Sequence, residues 1–119
     1  MFTEGSVYDP PRAEDGLRCL VMRMWPRGVA YERVDVWLKE LGPETSLLRD
    51  LDARRIHWGQ FTVSYLEGLR ARPAARVALE QVRDLEVGGA TVTLLCHEKT
   101  FPCHRFLLLD YLNSIKDAR

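Results

Sequence analysis

Two thiols, two imidazoles, a carboxylate and two cations fall within ten residues near the end of this chain, Cys96-His97-Glu98-Lys99-Thr100-Phe101-Pro102-Cys103-His104-Arg105. A thiolate is both a nucleophile and a soft metal ligand, and imidazole and carboxylate are the usual carriers of protons near neutral pH. Cys96, Glu98, Cys103 and His104 are therefore the candidate catalytic residues. The segment separates a strand-like run, Thr91-Val92-Thr93-Leu94-Leu95-Cys96, from a helix-like run with an apolar stripe at Leu108, Leu112 and Ile115. A helix that starts near Phe101 to Cys103 presents unpaired backbone N–H groups and a partial positive charge to this loop, a setting that attracts anions. With Thr100 as its cap, Cys103 falls in the first turn beside Arg105, and both influences favour its thiolate. Cys96 ends an apolar strand, and that background raises a thiol pKa.

An anion site needs cations as well as a helix end. Arg23 closes a second apolar run, and Arg27 is held between proline and glycine in Trp25-Pro26-Arg27-Gly28, where proline fixes φ and glycine permits a left-handed turn. If the two strand-like runs are parallel, both release their chains at one sheet edge, the edge where open α/β sheets bind ligands. Arg23, Arg27 and Arg105 are then the candidate anion-binding residues. A zinc centre made of Cys96, His97, Cys103 and His104 fits less well. Its cysteines lie farther apart than in the usual C-x2-4-C pairs, each histidine directly follows a cysteine, and neighbouring strand residues face opposite ways. On that ground no metal ligand is assigned, and a structural zinc site stays a further alternative, ranked below the anion site. The layout also resembles the cysteine loops of phosphatases and rhodaneses, but their C-x5-R spacing calls for arginine at position 102, where this chain has Pro102.

The elements that must hold these groups can be read outwards from them. Arg18 to Trp25 suits a central strand bounded by Gly16 and Pro26, and residues 9 to 16, with Pro10-Pro11, read as loop. After a short segment around Val34 to Leu41 and the break at Gly42-Pro43, Thr45 or Ser46 can cap a helix beginning near Leu47. Trp58, Phe61, Tyr65 and Leu69 recur at helical spacing and form a core stripe. A further helix starts at Pro73 and stops at Gly88-Gly89. Strands at both ends with helices between them define an α/β fold, a small single domain over 1–119. Its sheet should be short and mostly parallel, of about three or four strands with helices packed on it.

The 119 residues suffice for one core, and 17 basic against 17 acidic residues leave no net field to drive the protein onto nucleic acid or membrane. Arg54-Arg55 and Arg70-x-Arg72 offer a basic edge for nucleic acid or a protein partner, a reading ranked below the small-molecule one because such affinity needs several phosphate contacts. Three cysteines, an odd number, and no signal-peptide pattern point to a reducing, cytoplasmic setting. No apolar run approaches the roughly 20 residues of a membrane span. The expected partner is an anionic small molecule, and the sequence names no cofactor.

The segments Val7-Tyr8-Asp9-Pro10-Pro11, Asp15-Gly16, Arg23-x-Trp25-Pro26-Arg27-Gly28-Val29, Trp37-Leu38-Lys39-Glu40-Leu41-Gly42-Pro43 and Trp58-x-x-Phe61-x-x-x-Tyr65, followed by Val92-Thr93-Leu94-Leu95, carry a resemblance over nearly the whole chain. It is to the YeaO-like family of domains of unknown function (DUF488). The ending, Cys96-x-Glu98-Lys99 with Cys103-His104-Arg105, is similar to the C-x-E-K…C-H-R signature of the wider superfamily. The resemblance implies a small bacterial or archaeal α/β protein without a settled activity. Gly5-Ser6 stands where YeaO-like relatives often carry a basic residue. Many YeaO-like members also replace the C-H-R cysteines, which moves the weight of a shared site from the thiols towards the arginines.

Overall fold

Val92-Thr93-Leu94-Leu95-Cys96 is a run of β-branched and apolar residues with no charge, and such a run is stable as a strand covered on both faces. It is fully buried along its length and forms β4 (Val92–Cys96), an interior strand. The computed structural model describes residues 1–97 and 103–117. Within them β1 (Phe2–Ser6), β2 (Leu17–Leu20) and β3 (Val36–Trp37) join β4 in one sheet of order β1-β4-β2-β3. All three pairings are parallel, with Phe2 opposite Val92, Leu17 opposite Val92 and Cys19 opposite Val36. The expected parallel sheet of three or four strands is thus observed.

Three α-helices, α1 (Thr45–Asp52), α2 (Trp58–Ala71) and α3 (Pro73–Val87), lie between β3 and β4, and α4 (His104–Asp117) follows β4. The period-2 alternation of the strands separates two apolar layers. Phe2, Cys19, Val92 and Leu94 pack with Phe61, Tyr65, Leu69, Val82, Leu108 and Leu112 from the helices, whereas Leu20 and Leu95 pack with Val7, Trp25 and Val34 on the other side. Cys19 is a core residue, and burial pushes its thiol up to about 12. Among the described residues no helix is long and apolar enough to cross a membrane.

Local chemistry explains most helix ends. Pro73 occupies the first turn of α3, where its missing N–H costs nothing, and Gly88 follows the last residue. His57 caps α2: its Nδ1 accepts from the Gln60 backbone N–H at 3.2 Å, while Gln60 Oε1 accepts from the His57 N–H at 3.0 Å. The helix expected near Leu47 starts two residues earlier, at Thr45, after Glu44.

The strand expected over Arg18 to Trp25 is shorter. Ladder pairing ends at Leu20, Val21 adds one further bond to the Leu95 carbonyl, and the chain then leaves the sheet. Trp25 instead packs edge-on against Trp37, with ring centroids 5.4 Å apart, and its indole N–H donates to the Val29 carbonyl. Upstream, Gly16 makes the turn into β2 with φ of 61°, and a Cβ there would lie 2.2 Å from the Thr91 carbonyl oxygen, so only glycine fits.

Beneath that turn a buried ion pair ties three segments together. Arg18 Nη1 donates to Asp15 Oδ2 at 2.6 Å, Arg18 Nε donates to the Arg33 carbonyl at 2.6 Å, and Thr93 Oγ1 donates to the Asp15 carbonyl at 2.6 Å. Burial alone would raise the Asp15 pKa. The Arg12 backbone N–H and the Arg18 guanidinium outweigh it and hold the carboxyl below its ordinary value.

Candidate functional site

Because β2 and β4 are parallel, both deliver their carboxyl ends to one edge of the sheet, and α4 starts from that edge. A cavity of about 510 Å³ opens there. Met22, Met24, Leu48, Leu51, Trp58 and Phe61 supply its apolar wall, Arg23 and Asp52 its charges, and Cys96, His97, Cys103 and His104 its thiol and imidazole end. Its size lies within the range of roughly 300–1,000 Å³ usual for small-molecule sites.

Cys96 is the last residue of β4, Cys103 immediately precedes α4, and His104 is the first residue of α4; all three are buried. Their ligating atoms lie within 4.8 Å of one another. His104 Nδ1 is 3.7 Å from Cys103 Sγ and 3.9 Å from Cys96 Sγ. The opposite ring nitrogen, Nε2, is 2.7 Å from the Val21 carbonyl. A carbonyl can only accept, so Nε2 carries a proton, and in the neutral ring the Nδ1 lone pair faces the two sulfurs. Tyr65 stacks edge-on against this ring at 5.6 Å and continues through Phe61 to Trp58, so an aromatic ladder along α2 runs from His104 to the cavity wall. His97 lies at the exposed side, its Nδ1 3.8 Å from Cys96 Sγ, and does not join the three-residue cluster.

The thiol chemistry differs from the sequence expectation. Cys103 is not an activated thiolate: its hydrogen bond with Cys96 and its burial push its pKa up, and these effects exceed the opposing help from Arg105. Two sulfurs at one buried point resist sharing a second negative charge. Arg105 itself is 1% exposed and donates through Nε to Glu4 Oε1 at 2.8 Å, with its guanidinium 4.7 Å above the Phe106 ring. Burial opposes its charge, but Glu4 and the neighbouring Cys103 outweigh that and raise its pKa. It serves β1 and α4 and does not line the cavity.

The three arginines do not converge. Arg23 lies on the cavity wall, with Nη2 donating to the Gly42 carbonyl at 2.9 Å, Nε to the Pro43 carbonyl at 3.1 Å and Nη1 to Glu40 at 3.4 Å. Arg27 is exposed at the tip of the Trp25–Gly28 turn, where its carbonyl accepts from the Tyr8 hydroxyl at 3.1 Å. Glu98 falls outside the described residues, as does Thr100. Sequence reading missed the cavity wall of Met22, Met24, Leu48, Leu51 and Asp52. The available signal was the one-sided spacing of Leu47, Leu48 and Leu51; the structure leaves that face only partly buried, bordering the cavity.

The segment that carries Arg23's acceptors is pinned from below. Tyr65 Oη donates to the Leu41 carbonyl at 2.6 Å in a fully buried position, and burial, reinforced by Cys103, keeps this phenol neutral. Tyr65→Phe removes the donor and leaves that carbonyl unsatisfied, with an expected loss of about 1–2 kcal/mol in urea unfolding. An unchanged midpoint would show that the Leu41 carbonyl finds another partner.

A small parallel α/β domain whose sheet edge and adjoining helix start present two thiols and an imidazole to an apolar cavity is the class of protein that fold and site define. The model of the DUF488-N3a family, described as the active DUF488-N3 subclade, matches residues 4–116, and the chain belongs to this family. It is 32% identical over 112 residues to the uncharacterized protein YeaO of Escherichia coli K12, covering 92% of this chain and 94% of that one. An uncharacterized protein of Mycobacterium tuberculosis is 27% identical over 110 residues, 91% of this chain and 90% of that one. No solved structure gives a significant match.

Proposed function

We propose that the cavity at the carboxyl edge of the sheet is a small-molecule site. Its ligand has a largely apolar body and a polar or anionic end lying between Arg23 and the Cys96–Cys103–His104 cluster. The observation that carries this reading is the cavity's composition: an apolar wall of Met22, Leu48, Leu51, Trp58 and Phe61 that ends on two sulfurs and an oriented imidazole. Such a site combines apolar area for affinity with a few polar groups for orientation. The site offers chemistry as well as binding, because a neutral His104 presents its Nδ1 lone pair to Cys96 Sγ at 3.9 Å. The description of the matching subclade as active agrees with this.

The reading keeps the anionic small molecule expected from the sequence and changes what holds it. Arg23 is retained, whereas the positions of Arg27 and Arg105 give them no part in the cavity. A panel of small carboxylates with apolar bodies, including indole-3-acetate, phenylacetate and hexanoate, tests it by ligand-observed NMR and thermal shift. At least one member should bind wild type, and Leu48→Trp, which fills the cavity, should weaken that binding at least tenfold. Binding by no member, or equal binding to the filled variant, overturns the reading.

A further inference from the structure

We propose that Cys96, Cys103 and His104 form a three-ligand site for a zinc-type ion, with a remaining coordination position that opens into the cavity. The opening into the cavity rests on the small-molecule reading above; the ligand set does not.

Four observations carry the proposal. The first is distance. A tetrahedral ion with Zn–S of about 2.3 Å and Zn–N of about 2.0 Å sets its ligand atoms roughly 3.5–3.8 Å apart. His104 Nδ1 is 3.7 and 3.9 Å from the two sulfurs, and all three atoms lie within 4.8 Å. Only a small inward movement separates this arrangement from coordination.

The second is orientation. A histidine that ligates through one nitrogen almost always donates its other N–H to a carbonyl or carboxylate, which fixes tautomer and ring angle. His104 does this through Nε2 to Val21 at 2.7 Å, and Tyr65 packs against the ring edge-on. The lone pair is thus aimed at the sulfurs before any ion arrives.

The third is charge. Two thiolates and a neutral imidazole balance a dication, so the loaded cluster adds no net charge to a buried location. Two soft sulfurs and one nitrogen select zinc-type ions over magnesium or calcium, which prefer oxygen.

The fourth is access. Three protein ligands with an open position distinguish a catalytic zinc site from a closed structural one, and all three residues line the cavity. The spacing argument against a zinc centre concerned four ligands including His97. Among the described residues three ligands come together, because Cys103 and His104 sit at a helix start, where adjacent residues are not forced to opposite faces.

The test uses the full chain, expressed with added zinc and purified under reducing conditions without chelator. Wild type and Cys19→Ala should each hold close to one equivalent of zinc by elemental analysis. Cys103→Ser and His104→Ala should retain zinc at least tenfold more weakly against a chromophoric chelator. If those variants fail to fold, cobalt titration of wild type provides a second readout. Sulfur-to-cobalt charge-transfer absorption should appear and should vanish after alkylation of the thiols.

Reduced wild type that takes up neither zinc nor cobalt overturns the proposal. So does equal affinity in Cys103→Ser, or a Cys96–Cys103 disulfide whose reduction restores no metal uptake. Metal-free protein that still binds the carboxylate panel refutes the ion alone. Zinc-loaded protein that ignores the panel refutes the small-molecule reading alone.

Discussion

Asp15→Ala is expected to destabilise the protein by about 3–5 kcal/mol, the usual cost of leaving one member of a buried ion pair uncompensated. Arg18 is only 5% exposed, and without Asp15 its guanidinium would keep the Arg33 and Asp9 carbonyls as acceptors but no ion-paired carboxylate among the described residues. Asp15 also accepts the Arg12 backbone N–H at 3.0 Å, so the loss extends into the turn that delivers β2. Urea denaturation of the variant, and of Asp15→Ala combined with Arg18→Met, separates the two contributions. The double variant should recover much of the loss, because an apolar pair does not need compensation. A loss under 1 kcal/mol in Asp15→Ala would show that Arg18 reaches water.

The same pair sets an acid limit. The folded pKa of Asp15 is depressed below its unfolded value, so its contribution is complete above the unfolded value of about 3.9 and is lost as pH falls through the folded one. The stability gap between wild type and Asp15→Asn should therefore be constant near neutrality and narrow below about pH 4. A gap independent of pH down to 2 would contradict the assignment.

Gly42→Ala should cost about 3 kcal/mol and weaken ligand binding at the cavity at the same time. A Cβ at position 42 would lie 2.5 Å from the Arg23 backbone nitrogen and 3.0 Å from the Met22 carbonyl carbon, and neither is a flexible side-chain tip. The φ of Gly42 is −74°, ordinary for any residue, so the whole effect is steric. The 22–23 and 42–43 segments must part, which moves Arg23 off the Gly42 and Pro43 carbonyls and shifts Met22 and Met24 in the cavity wall. Thermal unfolding and carboxylate binding by Gly42→Ala test both halves. Lost stability with unchanged binding would place the ligand elsewhere.

What was legible in the sequence was whatever depended on near neighbours. β4 announced itself through an uninterrupted apolar run, α3 through Pro73 and Gly88-Gly89, and α2 through its aromatic stripe. β1 was not read as a strand, because Phe2 is its only large apolar residue and its partner β4 lies about 90 residues away. Met22 and Trp25 look like more strand because partial burial selects the same residue types in a cavity wall and an aromatic cluster, while Val21 stays in the core beyond the ladder and Met24 is exposed at the cavity wall. Arg105 looked like an anion ligand because Glu4, 101 residues distant, cannot be paired with it from spacing. Cys96, Cys103 and His104 were legible as candidate site residues; that these three meet without His97 was not, for a related reason. It depends on a strand end and a helix start meeting at one point, and residue intervals alone do not encode that meeting.

The sheet order also governs when the site can exist. β1 and β2 are adjacent in the chain but not in the sheet, and β4 supplies the partner each lacks on its inner side. Until residues 92–96 insert between them, neither early strand has its main neighbour, and loops of this length close slowly. The strand that completes the sheet is also the one that carries Cys96 to its edge. Closing the sheet and carrying Cys96 to its edge are therefore one event, and the Cys96–Cys103–His104 cluster cannot be complete before the sheet is.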